Sequence, residues 1–267
     1  MSHAKPQPDI KYFKDYLSMR GKKSIDNQEF FRKKLERIAS KIADIDWVQG
    51  QLAKANIEIY FNNYSNADQI FENALKVTDN QSIAVWDMYI SFKVMTGEIN
   101  KLVDLMWRMV NLNLPQPKSL QANFLHVVQV YKLFEVFEDI FTSTSLEVNE
   151  QMRKDYEKIK KEATQIESLN VSIETYRMVI SQIYIEFYKN YIGSLTPTIT
   201  IEDNEIVVRA GCTVDNAHDL FELNNLYRNK IMDLFANCNN DKQEEFDKIS
   251  VYYKYYDFKD EFEGIHG

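Results

Sequence analysis

Glycine and proline are scarce, at 7 and 5 among 267 residues. A chain with few of either has few sharp turns, and long helices are the element that needs neither. Cysteine is scarcer. Cys212 and Cys238 make no metal or redox spacing, which excludes a disulfide framework and fits a reducing compartment. No apolar run approaches the roughly 20 residues of a membrane span. The amino-terminal residues 1–14 are polar and carry no apolar signal core. A cytoplasmic protein with no membrane contact is therefore expected. A Gly-rich phosphate loop, a His-Glu-x-x-His zinc motif and a Cys-x-x-Cys pair are all missing, so no cofactor and no metal are expected.

What is present is ordinary globular material, 45% hydrophobic and 27% charged, with 16 Tyr and 16 Phe to fill a core. The net charge of −8 is uneven. Residues 1–40 hold ten Lys/Arg against five Asp/Glu, and residues 241–263 hold four against eight. An acidic chain with a basic head is not the footprint of a dedicated nucleic-acid binder, but it leaves room for one basic contact patch.

Hydrophobic periodicity places helices along most of the chain. A short helix is expected over 8–20, ending near Gly21. The next carries Phe30, Phe31, Leu35, Ile38, Ala39 and Ile42 on one face. Asp44 or Asp46 caps a third, with Trp47, Leu52, Ala55, Ile57, Ile59 and Tyr60. A helix from Ser119 runs to Phe137. Residues 147–168 hold six acidic and five basic residues with a narrow apolar seam, and read as a charged connector. A long helix spans 171–195. The period then changes to two, and the β-branched run 198–209 around Asp203-Asn204 predicts a β-hairpin. Asp215 is expected to cap a helix through Phe235. An acidic, Tyr-rich helix is expected from Lys242 to Phe262. This divides the chain into 1–145, a connector at 146–170, and a carboxy-terminal part at 171–267.

The stretch 66–115 organises the rest. Ala67, Ile70, Phe71, Ala74 and Leu75 share one helical face, and Trp86, Tyr89 and Phe92 share another before Gly97. The order Ala67, Phe71, Ala74, Leu75 resembles the second helix of a tetratricopeptide repeat. Trp86, Tyr89 and Phe92 resemble the first helix of the next half-a-TPR unit, with Gly97 in its turn and Pro115 at its end. Asp68 and Asn73 stand where the family carries basic residues. The resemblance implies an all-α fold, an antiparallel helix-pair array in the TPR/HAT style, with one small β-hairpin in the carboxy-terminal part. It implies a non-enzymatic scaffold or adaptor whose groove, formed over about 45–137, holds a protein partner. A homo-oligomer is compatible with it.

The dense basic cluster Lys22, Lys23, Arg32, Lys33, Lys34 and Arg37 is either the solvated side of an amphipathic helix or a docking patch. An acidic protein or a phosphate backbone would fit it, and the latter gives the alternative reading of a nucleic-acid-associated accessory protein. Cys212, Asp215 and His218 form the one collection of catalytic residue types, across a strand–helix junction. His126 lies in an apolar helix and is expected to be structural or partly exposed.

Overall fold

A computed structural model describes residues 21–23, 28–112, 118–143 and 150–256. The expected helix at 8–20 and the Pro115–Pro117 break lie outside these residues. By density of contacts the chain forms two units. The first runs to Phe92 and takes in Lys189–Gly193, and the second holds Lys93–Tyr188 and everything from Ser194. The cut falls inside the stretch 45–137, not at the charged stretch 147–168.

The first unit begins with helices α1 (Gln28–Ala43), α2 (Trp47–Tyr60) and α3 (Tyr64–Val77), and takes in most of α4 (Ile83–Thr96). Asp46 is the cap of α2, its Oδ1 accepting from the Gln49 amide at 3.0 Å. Leu35, Ile38, Ala39 and Ile42 of α1 form one buried cluster with Ala53 and Ile57 of α2, closed by Phe61. Gly50 permits the approach, because a Cβ there would lie 2.3 Å from the Ala43 Cβ. Asn62, Asp79 and Asn80 make the tight turns with φ between 50° and 60°, a region Asn and Asp tolerate better than most residues. A two-residue ladder completes the unit: β1 (Gly21–Lys22) pairs with β2 (Tyr191–Ile192).

The second unit continues from the end of α4 with α5 (Ile99–Asn111), α6 (Lys118–Tyr131), α7 (Phe134–Ser143), α8 (Glu150–Ser168) and α9 (Ile173–Asn190). Within α8, the expected connector, Ile159, Ala163 and Ile166 are all buried. The sheet follows, with β3 (Leu195–Glu202) antiparallel to β4 (Glu205–Cys212) through Asp203-Asn204, whose φ values of 49° and 65° make the favoured hairpin twist. The crossover is α10 (Ala217–Ala236) and α11 (Asn240–Phe246), and β5 (Ile249–Tyr255) returns parallel to β4.

The fold is mostly helical, and consecutive helices pack in pairs, but it is not all-α. The expected helix at 242–262 is corrected at its core. Among the described residues of that stretch, only Asn240–Phe246 is helical, and Ile249–Tyr255 is a strand. The physical reason is the open edge of β4: Ile249-Ser250-Val251-Tyr252-Tyr253 is rich in β-branched and aromatic residues, and Tyr253 is buried there. The hairpin is also longer than 198–209, and α9 ends at Asn190 rather than near Leu195. Asn216, not Asp215, caps α10, its side chain accepting from the amides of His218 and Asp219. No described helix is long and apolar enough to cross a membrane.

Candidate functional site

Both α1 and α3 pack against α2. A cleft of about 290 Å³ opens where the three meet, lined by Glu36 and Ser40 of α1, Lys54, Ile57 and Glu58 of α2, and Ile70 of α3. Helix α3 is held in place for reasons visible in the sequence. Ala67, Phe71, Ala74 and Leu75 are fully buried along α3, and Trp86, Tyr89 and Phe92 are buried along α4. Phe71 stacks on Tyr89 at 4.8 Å and on Phe92 at 5.7 Å. The Trp86 indole N–H donates to the Asn80 carbonyl at 2.9 Å, which fixes the turn before α4.

The cleft wall is charged and ordered. Arg32 donates to Glu36 at 2.9 Å and to Glu58 at 2.5 Å, and its guanidinium lies 5.5 Å from the Phe61 ring centre. Its hydrogen bond to Glu36 leads the causes that hold its pKa above the ordinary value. Ser40 donates to the Glu36 carbonyl at 2.9 Å. The result is a slot with apolar Ile57 and Ile70 and a polar rim.

The six basic residues come from two elements. Lys33, Lys34 and Arg37 are exposed on α1, where Lys33 is paired with Glu29 at 2.6 Å. Arg32 is spent on two carboxylates. Lys22 and Lys23 lie instead in and beside β1. The Lys23 amine donates to Asn62 Oδ1 at 2.8 Å and sits 5.8 Å from the Tyr60 ring centre. Half-buried there, it is pushed down to about 8 by desolvation.

The second unit has a larger cleft of about 530 Å³, lined by the residues from Gly97 to Lys101 and by Glu174, Arg177 and Met178 of α9. Gly97 turns with φ 63° between α4 and α5, and a Cβ there would meet the Ser181 Cβ at 2.9 Å. Its charged groups hold the fold. Lys93, fully buried, donates to Glu98 at 2.8 Å, and Lys101 pairs with the same carboxylate at 2.6 Å. Arg177 donates to the Tyr131 and Lys132 carbonyls at 2.8 and 2.7 Å, closing the end of α6, and to both oxygens of Glu135. Neither Arg177 nor Lys93 stood out in the sequence. A lone lysine in the apolar run of α4 was the available signal.

The junction at 212–218 does not assemble a nucleophile. Burial pushes the Cys212 thiol up to about 11, so it stays protonated at neutral pH, and its Sγ faces the Lys254 carbonyl. Asp215 and His218 are exposed at the start of α10, and His126 is exposed on α6. Among the described residues, no group of three or more His, Cys, Asp or Glu side chains is placed to hold a metal ion. No family model matches the chain, and neither does a curated protein or a solved structure.

Proposed function

We propose that this protein is a non-enzymatic adaptor of the tetratricopeptide or half-a-TPR style, which holds a segment of a partner protein in the cleft over α2. The observation that carries this is the cleft itself: three consecutive packed helices, the third held to α4 by the Phe71–Tyr89–Phe92 stack, leave a slot with two isoleucines and charged residues around them. An apolar floor with a polar rim is the pattern of a recognition groove. The amphipathic α1 gives the rim a positive outer edge in Lys34 and Arg37, which favours an acidic flank on the segment.

The test is capture of partners by the intact chain from native lysate, with and without nuclease, beside the variant Lys54→Glu. A stoichiometric protein partner that survives nuclease and is lost with Lys54→Glu supports the adaptor. Loss of all partners on nuclease treatment would instead support a nucleic-acid accessory role for the basic edge of α1. Such binding would weaken steeply with salt, because neutralised phosphates release counterions.

A further inference from the structure

Helix α10 carries two stripes. One packs inward: Leu223 and Tyr227 are buried, and Tyr227 meets Tyr253 of β5 edge-on at 5.9 Å. The other runs His218, Phe221, Asn225, Arg228, Met232 and Phe235, alternating three and four apart, which is the seam spacing of paired helices. Phe221 is 67% exposed and Met232 56%, and the other four are exposed or half-exposed. Among the described residues none of these six side chains makes a hydrogen bond, ion pair or ring contact.

The seam is complementary to itself. Laid antiparallel on a copy, with the two-fold axis between Leu226 and Tyr227, it sets Phe221 against Met232, Asn225 against Arg228, and His218 against Phe235. Thioether on aromatic ring is a favourable contact, and an amide oxygen accepts from a guanidinium. One charged pair agrees with this direction. In this register Glu222 lies within a turn of Arg228 of the copy, on both sides of the axis. Antiparallel pairing also opposes the two helix dipoles.

We propose that α10 is a dimerisation helix, pairing antiparallel with α10 of a second copy along this seam. The occupant is committed by self-complementarity, and the proposal goes beyond the adaptor reading without resting on it, since no residue of the α2 cleft takes part.

Sedimentation equilibrium of the intact chain over a range of concentrations tests it. The expected result is a reversible dimer that Met232→Glu weakens at least about 30-fold, the effect of losing a hot-spot contact. Phe221→Ser serves as a second, uncharged variant. Both positions are exposed, so circular dichroism should match the unaltered chain, and the thermal midpoint should match once both are diluted to monomer. Register is read with the double variant Phe221→Cys/Met232→Cys on a Cys238→Ser background, oxidised with glutathione disulfide. Within one helix these Cα atoms lie about 16 Å apart at 1.5 Å per residue, beyond the roughly 7 Å reach of a disulfide, so they can join only between copies. Covalent dimers linked 221 to 232 support the proposal. A monomer at every concentration, a dimer indifferent to both single variants, or links of 221 to 221 would each overturn it.

Discussion

In the first unit, Phe71 meets Tyr89 and Phe92 through flat aromatic faces, and α1 meets α2 through aliphatic and small residues with Gly50 against Ala43. Its helix contacts run between neighbours in sequence. The second unit uses polar groups that reach across long separations. The Tyr176 hydroxyl donates to the Val130 carbonyl at 2.9 Å, and the Tyr253 hydroxyl to the Ile183 carbonyl at 2.6 Å. Glu245 accepts from both the amide and hydroxyl of Ser172, and buried Lys132 donates to Glu162. The difference teaches what each unit needs from its sequence. Local apolar packing needs a period, which many residues share. Polar tethers need particular residues at particular places, because a buried donor or acceptor left unmade costs more than a made one returns.

The comparison can be broken most severely at Phe71. Phe71→Ala removes a fully buried ring and leaves a cavity, and should cost about 3–5 kcal/mol in urea denaturation. A loss under about 1 kcal/mol would mean that the first unit is not held by this stack. Next comes a contrast within the second unit. Glu162→Gln strands the Lys132 ammonium, 2% exposed, and should cost about 3 kcal/mol. Lys132→Met removes the charge with the stem kept, and should be close to neutral. Equal losses for the two would show that shape, not charge, matters there. Tyr253→Phe deletes one buried hydroxyl and its bond to the Ile183 carbonyl, for about 1 kcal/mol.

The smallest effect is the alkaline response, which should differ between the units. Burial holds Tyr176, Tyr184 and Tyr253 well above their ordinary pKa of 10.0. The unfolded chain then loses these protons first, so their contribution is full below about pH 10 and falls as pH rises further. Lys23, brought down from 10.5 to about 8, has the opposite sign, because between those values the unfolded chain holds the extra proton. Its contribution grows as pH rises from about 8 to about 10.5. Backbone hydrogen exchange followed from pH 7 to 11 should show protection lost first around α9 and β5. Loss beginning at β1 and α2 would reverse the comparison.

The helices of the first unit were legible because their signal is periodic. Ala67, Phe71, Ala74 and Leu75 read as one buried face and are one, and Gly97 reads as a turn and is one. The carboxy-terminal end was not legible. Its four tyrosines fit a helical face as well as a strand, and the choice was made by the edge of β4, some 40 residues earlier in the chain. The linings of the two clefts were not legible for a related reason. They come from separate helices, and Arg177 or Glu58 alone carries no mark of the partners it will meet.

By itself, then, the sequence determined the helical content, the tight turns at Asn and Gly, and the faces that would be buried, since each depends on residues within a few positions of one another. The tertiary structure alone decided that Ile249–Tyr255 is a strand, that Cys212 is a buried thiol, that the basic residues around Lys23 and Arg32 are divided between β1 and α1, and that the seam of α10 is left open. Each of these is settled by a neighbour distant in the chain, and distance in sequence is the information that a local pattern cannot hold.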